Sequence, residues 1–207
     1  MENGKMTPKK LTDILEIISE NLTRRNIPFA VIGAMALGTY GLPRYTADVD
    51  LLTEDRYQHQ ILPIMERLGY TCRQKTGTFA QFDSEMGVFG YADFMFVSTE
   101  SGKDMLRQRV VVRDELAGTC YSVIQPTDYI VLKLMAMANN PDRSLKDEAD
   151  ILELLKLYGN SLIPEVFEPL NSDKILRFAD RFRQREHIEK HLNTVFGKSH
   201  KTGFHEL

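Results

Sequence analysis

The sequence predicts a mixed α/β fold followed by an all-helical C-terminal part. Over about the first 122 residues, segments with helical spacing of apolar residues alternate with short apolar segments typical of buried strands. From residue 123 onward only helical patterns occur. We therefore predict a β-sheet flanked by helices in residues 1–122 and a helical domain in residues 123–207. No Gly- or Ser-rich linker separates the two parts.

The composition excludes several classes of protein. Of the 207 residues, 43% are hydrophobic and 27% charged, as in ordinary globular proteins. No apolar segment approaches the ~20 residues that span a bilayer, and the N-terminus has no signal-peptide pattern. Cys72 and Cys120 are too few for a disulfide framework or a four-thiolate zinc site. We therefore expect a cytoplasmic protein without membrane partners.

The N-terminal helix has clear start and stop signals. Thr7 can cap it, and Pro8 suits its first turn. Asn26 is its predicted end. Its apolar stripe consists of Leu11, Ile14, Leu15, Ile18 and Leu22.

A short buried strand at residues 29–32 runs into Gly33 and Ala34, and a short helix follows at 35–40. The free N–H groups and positive dipole end of such a helix suit a phosphate, and glycine allows its close approach. A simple tight turn explains the same pattern, and by itself is the commoner explanation.

The remaining elements follow from the same signals. Further strands are predicted at 49–52, 70–73, 78–82, 88–97, 109–112 and 119–124, the last two separated by a turn at 115–118. Further helices are predicted at 57–68, from 126 to about 138, at 146–158 and at 173–191.

Two carboxylates stand on the second strand. Asp48 and Asp50 alternate with the apolar Val49 and Leu51, so both should project from the same face, about 7 Å apart. A lone Asp-x-Asp pattern is expected about once by chance in a chain of this composition. Aspartate is nevertheless disfavoured within strands, and Mg²⁺ bound between two carboxylates would offset their repulsion.

Asp93 is likewise an aspartate within a predicted strand, since it lies in the otherwise apolar segment 91–96, and such departures from local preference are typical of functional sites. If its strand neighbours that of Asp48 and Asp50, three carboxylates converge. Three such side chains can hold one or two divalent ions for phosphoryl-type transfer.

Two cations are weaker candidates. Arg44, just before Thr46, could pair with a phosphate or with Asp48, or simply be a surface arginine. Lys133 lies between Leu132 and Leu134 and could reach a triphosphate as a point charge; a lysine whose stem is buried is at least as good an explanation. Asp147 and Asp150 are expected to stabilise the start of their helix.

The C-terminal tail is basic. From residue 171 onward it carries eight Lys/Arg and five Asp/Glu, against a net charge of −3 for the whole chain. The tail could contact RNA, although a solvated helix face is the simpler explanation. His187 and His191, four residues apart on one helical face, could bind a metal, but such a pair is more often merely exposed.

The segment from residue 29 to residue 52, with its pattern Gly-x-x-Arg-x-Thr-x-Asp-x-Asp-Leu-Leu, resembles the nucleotidyltransferase superfamily that shares the fold of DNA polymerase β. It is especially similar to bacterial minimal and abortive-infection (toxin–antitoxin) nucleotidyltransferases. Residues 125–136 and 143–152 resemble the helical half of that group. The resemblance covers about residues 25–158.

The resemblance implies a mixed sheet flanked by helices and transfer of a nucleoside monophosphate from an NTP with release of pyrophosphate. Asp48, Asp50 and Asp93 would bind Mg²⁺ or Mn²⁺, and Asp93 is the candidate base. Gly33 and Ala34 would cradle the β- and γ-phosphates. Arg44, Thr46 and Lys133 complete the predicted nucleotide site.

One position departs from the family pattern. Many active relatives have Ser or Gly where Ala34 stands, so a hydroxyl contact is lost here. The alternative hypothesis is a non-catalytic nucleotide-binding protein or a toxin–antitoxin partner with the same fold. A metal-dependent phosphoesterase that uses the same carboxylates is a third. The acceptor (RNA, protein or small molecule) and the choice of NTP stay open.

Overall fold

A seven-stranded mixed sheet dominates the N-terminal part of the computed structural model, which describes residues 11–84, 90–113 and 119–197. The strands are β1 (Phe29–Val31), β2 (Asp48–Glu54), β3 (Tyr70–Lys75), β4 (Phe79–Ser84), β5 (Tyr91–Val97), β6 (Val110–Arg113) and β7 (Cys120–Val123). Their order across the sheet is β3-β4-β5-β2-β1-β7-β6. The pairs β2–β5 and β1–β7 are parallel, and the others are antiparallel. The mixed α/β class and the mixed sheet are thus confirmed.

The helices in the described residues are α1 (Leu11–Thr23), α2 (Gly33–Tyr40), α3 (Gln58–Arg67), α4 (Glu100–Arg107), α5 (Pro126–Asn139), α6 (Ser144–Gly159), α7 (Ser172–Arg181) and α8 (Arg185–Phe196). Short 3₁₀ turns precede α3 and α6. None of these helices is long and apolar enough to cross a membrane.

The chain forms two compact units. The first takes the described residues up to Thr39 and from Pro43 to Ile124, and contains the whole sheet. The second takes Tyr40–Leu42 and the described residues from Gln125 onward, and contains α5 to α8.

Apolar residues are buried on both faces of the sheet at Ala30 and Leu52, but at the start of β2 only one face is fully buried. Val49 and Leu51 of β2 are fully buried there, and pair across β5 with the buried Ala92 and Phe94. Phe94 packs edge-on against Phe82 of β4, with ring centroids 5.7 Å apart. Because side chains alternate along a strand, burial of this face leaves Asp48, Asp50 and Asp93 on the other.

Helix α1 ends at Thr23, and a turn continues the chain to Asn26, the predicted end. Asn26 adopts a left-handed φ of 54°, and the N–H of Ile27 donates to the carbonyl of Leu22 over 3.0 Å. This is the hydrogen bond of a Schellman-type helix end, in which asparagine tolerates the left-handed position. The predicted start at Thr7 and Pro8 lies outside the described residues, as do residues 88 and 89 of the predicted fifth strand and the turn at 115–118.

Two helical segments differ from the prediction. Helix α4 lies where no element is predicted, because only Gly102, Met105 and Leu106 of it are buried and its apolar pattern is short. The helix predicted over 173–191 is instead two helices, α7 and α8. Between them Arg183 adopts a left-handed φ of 58°, and the sequence has no glycine or proline there to signal the break.

The second unit is a small helical assembly. Helix α5 packs against α6 and α7, and α8 packs against the same two helices. The apolar core includes the fully buried Ile130, Leu134, Ile151, Leu154, Leu155, Ile175 and Ile188.

Candidate active site

The structure brings the three predicted carboxylates together. Strand β2 pairs in parallel with β5, and the register places Asp50 directly opposite Asp93, with Asp48 opposite Tyr91. Adjacent strands are about 4.8 Å apart and paired residues project from the same face. The three aspartates, each partly exposed, therefore form one acidic patch on the first unit.

The turn at the start of α2 lies directly against this patch. Gly33 has a φ of +65°, and a Cβ atom placed there would lie only 1.9 Å from Oδ2 of Asp50. The neighbouring Ile32 N–H donates to the backbone carbonyl of Asp50 over 2.9 Å. Only glycine fits this position, both for its left-handed backbone and for the carboxylate beside it.

Ala34 follows in the first turn of α2, where backbone N–H groups lack partners within the helix. Its methyl group can donate no hydrogen bond, so its contribution to anion binding would be its backbone N–H alone. The predicted phosphate cradle and the predicted metal ligands are thus adjacent.

Burial and a neighbouring charge alter the acidity of Asp93. Loss of hydration on burial raises the pKa of its carboxyl group above the ordinary value, and the negative charge of Asp48 raises it further. A hydrogen bond from Gln81 Nε2 to Asp93 Oδ2, 3.1 Å long, partly opposes the increase. The charge effect also shows that Asp48 and Asp93 are close enough to repel each other.

Gln81 is a site residue that the sequence analysis does not single out. It pairs with Asp93 in the antiparallel β4–β5 register, so Gln81, Asp93 and Asp50 form one row across three strands. Asp83, Tyr91 and Asp48 form the next row. The alternation of Gln81 with the buried Ala80 and Phe82 indicates its face, but the sequence carries no signal for which strand lies beside it.

Thr46 braces the start of β2. Its hydroxyl accepts the N–H of Asp48 (3.2 Å) and lies 3.3 Å from the Asp48 carbonyl. Gly90, at the start of β5, approaches Ala47 so closely that a Cβ there would lie 2.7 Å from the Ala47 carbonyl oxygen. These contacts fix the register that sets Asp50 opposite Asp93. Arg44 is exposed on the loop that precedes them.

No family model matches this sequence, and no curated protein matches it either. Solved structures do match. ANT(2″)-Ia in complex with adenylyl-2″-tobramycin is 16% identical with a TM-score of 0.57, over 85% of this chain and 98% of that one. An antigenic nucleotidyltransferase-like protein from Paracoccidioides brasiliensis is 18% identical with a TM-score of 0.54, over 90% and 96% of the two chains.

The lincosamide antibiotic adenylyltransferase LnuA, bound to lincomycin, is 13% identical with a TM-score of 0.50, over 69% of this chain and 94% of that one. This chain has the nucleotidyltransferase fold. In this chain the parallel pair β2–β5 carries the acidic patch, and the turn at Gly33 lies against it.

Lys133, another residue of the predicted nucleotide site, belongs to the second unit. Its ammonium group pairs with Asp147 at 2.6 Å and with Asp150 at 2.9 Å. The lysine side chain is 15% exposed and the two aspartates are 1% and 2% exposed. Asp147 lies in the first turn of α6, as predicted, and additionally neutralises this lysine. The role of Lys133 toward a nucleotide stays a prediction.

Proposed function

We propose that this protein is a metal-dependent nucleotidyltransferase that moves a nucleoside monophosphate from an NTP to an acceptor hydroxyl group. The observation that carries the proposal is that Asp48, Asp50 and Asp93 lie on one face of the β2–β5 pair, with Asp50 beside Gly33. Two elements that bind opposite charges, a carboxylate cluster and a helix N-terminus, lie within contact distance. A metal–triphosphate complex matches that pair of sites.

The residues present fit a divalent cation. Burial, and to a smaller extent the charge of Asp48, raise the pKa of Asp93, and a bound cation would offset both effects. Hard oxygen ligands are those that Mg²⁺ and Mn²⁺ prefer. Asp48, Asp50 and Asp93 would hold the ion. When bound, it would lower the pKa of the acceptor hydroxyl and neutralise charge on the leaving oxygen.

The remaining chemistry falls to the chain itself. Backbone N–H groups at Gly33 and Ala34 would hold the β- and γ-phosphates, so that the α-phosphorus faces the aspartates. Asp93, whose pKa is raised above its ordinary value mainly by burial, would accept the acceptor's proton. The acceptor oxygen bonds to the α-phosphorus, the bond from that phosphorus to the bridging oxygen breaks, and pyrophosphate leaves with the electron pair.

The solved neighbours favour a small-molecule acceptor. ANT(2″)-Ia was solved with adenylyl-2″-tobramycin and LnuA with lincomycin. We therefore place a hydroxyl group of a small polar molecule first among acceptors, ahead of an RNA end and a protein hydroxyl.

Transfer of label tests the proposal. The protein is incubated with Mg²⁺ and each α-³²P-labelled NTP, together with a cell extract or a panel of aminoglycosides and lincosamides. We expect one acceptor to gain label while pyrophosphate is released. Asp48→Asn, Asp50→Asn and Asp93→Asn should each abolish transfer, whereas Asp55→Asn, at an exposed position just after β2, should not. Undiminished transfer by the first three variants would refute the assignment.

Ala34 favours a second candidate, a nucleotide-binding protein without turnover, such as one member of a toxin–antitoxin pair. Calorimetry distinguishes the two. The second candidate binds Mg²⁺–NTP but releases no pyrophosphate with any acceptor. Release of phosphate from an ester in the absence of NTP would instead indicate a phosphoesterase.

A further inference from the structure

A second cluster of metal-ligating side chains lies within the helical unit. His187 and His191 are one helical turn apart on α8, and both point at Glu148 of α6. The Nε2 atoms lie 2.6 Å and 2.8 Å from the same carboxylate oxygen, Oε1. One ligand atom from each of the three residues lies within 4.8 Å of the other two. We propose that these three residues bind a Zn²⁺ ion that fastens α8 to α6.

The type of ligand selects the metal. Two imidazoles and one carboxylate form a set typical of zinc, in which three protein ligands leave a fourth position for water. Magnesium, by contrast, prefers oxygen ligands alone. The two sites of the chain therefore differ in chemistry, with three carboxylates in the first unit and a mixed nitrogen and oxygen set in the second.

The geometry needs only a small adjustment. Tetrahedral zinc with ligands at about 2.1 Å has ligand atoms about 3.4 Å apart. The two nitrogen–oxygen distances would each have to open by less than about 1 Å. Glu148 is 25% exposed and His187 is 50% exposed, so both side chains have room to move. His191, at 13% exposed, is the most enclosed of the three.

Without metal, the cluster is held by hydrogen bonds. Partial burial works to raise the pKa of Glu148, but hydrogen bonds and charges from the two imidazoles outweigh it and hold the pKa below the ordinary value. Of the three side chains, His187 also lines a surface cavity of about 360 Å³ beside Lys190.

Such an ion would join α8 to α6 by metal–ligand bonds, in addition to their apolar packing. Ile188 is the one residue of α8 in the buried core, and Leu192, Val195 and Phe196 are only partly buried. The three ligands join positions 148, 187 and 191, and a bond between segments so distant in the chain restricts the unfolded state strongly.

Zinc titration of the full chain, prepared without a histidine tag, tests this proposal. Excess Mg²⁺ is kept present to occupy the aspartates of the first unit. Calorimetry should show one Zn²⁺ per chain, Co²⁺ should give the visible absorption of a tetrahedral site, and Zn²⁺ should raise the melting temperature. None of these measurements requires turnover, so they succeed or fail independently of the proposed function.

Substitutions locate the site. Glu148→Gln keeps the shape of the side chain, and His187→Ala changes a half-exposed position, so both variants should fold, as circular dichroism can verify. Each should weaken zinc binding at least about tenfold and remove the cobalt absorption. His59→Ala and the double variant His200→Ala/His205→Ala are the controls, and should bind as the unaltered chain does. Absence of zinc binding, or equal binding by all variants, would overturn the proposal.

Discussion

The contact between Gly33 and Asp50 makes a single hydrogen-to-methyl change informative. In Gly33→Ala the added Cβ meets the backbone strain of a φ of +65° and an oxygen 1.9 Å away. We expect the backbone strain alone to lower the free energy of unfolding by about 1–2 kcal/mol. The added methyl group should also displace the Asp50 carboxylate and thereby abolish activity.

Gly69→Ala is the matched control for that change. Gly69 also has a positive φ, +84°, but no atom lies within 4 Å of its added Cβ. Urea denaturation of both variants separates strain from collision. If Gly33→Ala and Gly69→Ala were equally destabilised and Gly33→Ala kept its activity, the position of the Asp50 carboxylate would not depend on the turn at Gly33.

Asp93 illustrates a conflict between stability and function at one residue. Because its folded-state pKa is raised, ionisation of Asp93 destabilises the metal-free protein. We expect Asp93→Asn to raise the free energy of unfolding at neutral pH by a few tenths to about 1 kcal/mol, since the group is partly exposed and solvent screens its charge.

The increase in stability caused by Asp93→Asn should reach its full size at pH values above the raised pKa of Asp93. It should vanish below about pH 4, where the carboxyl group of the unaltered chain is protonated in both the folded and the unfolded state. Chemical denaturation in the presence of a chelator, at several pH values, measures it. A variant less stable than the unaltered chain at neutral pH would contradict the assigned cause of the shift.

Among the helices, the ion pairs of Lys133 should dominate stability. Lys133→Met leaves two nearly buried carboxylates, Asp147 and Asp150, without this cation. We expect Lys133→Met to lower the free energy of unfolding by about 3–5 kcal/mol.

Lys156→Met, which removes an exposed pair with Glu153 on α6, should cost under about 0.5 kcal/mol. Urea denaturation compares the two variants. Similar losses in both would show that the buried lysine contributes no more than a surface one.

The elements differ in how far the sequence predicts them. Helix α1, strand β2 and the turn at Gly33 can each be predicted from local signals. Helical spacing of apolar residues indicates α1, alternation of apolar and acidic residues indicates β2, and a glycine after a short apolar segment indicates the turn. The break at Arg183 has no such signal, since an arginine there adopts a backbone conformation usual for glycine or asparagine.

Non-local pairing limits the prediction of the site. The types of Asp48, Asp50 and Asp93 are visible in the sequence, but their meeting depends on β5 pairing with β2 across more than 40 residues. Gln81 is similar, because the sequence predicts its strand, β4, but does not predict that β4 lies beside β5. The sequence marks Lys133 as a candidate phosphate contact, but it does not reveal the ion-pair partners of this lysine, which lie on another helix.

For the whole molecule, ligand binding should be linked to stability. A ligand that binds only the folded protein stabilises it in proportion to the logarithm of its concentration over Kd, by about 2.7 kcal/mol at a hundredfold excess. We therefore expect Mg²⁺ with a non-hydrolysable NTP analogue to raise the melting temperature, and either alone to raise it less. Asp50→Asn should show no such increase, and Asp55→Asn should show all of it, as scanning calorimetry can record.

The position of the bound ion is the most direct test of the central claim. A crystal structure with Mn²⁺ and a non-hydrolysable NTP analogue, with manganese located by anomalous scattering, provides it. We predict manganese bound by the carboxylates of Asp48, Asp50 and Asp93, with the triphosphate against the backbone of Gly33 and Ala34. Manganese held elsewhere, or a triphosphate away from that turn, would contradict the account.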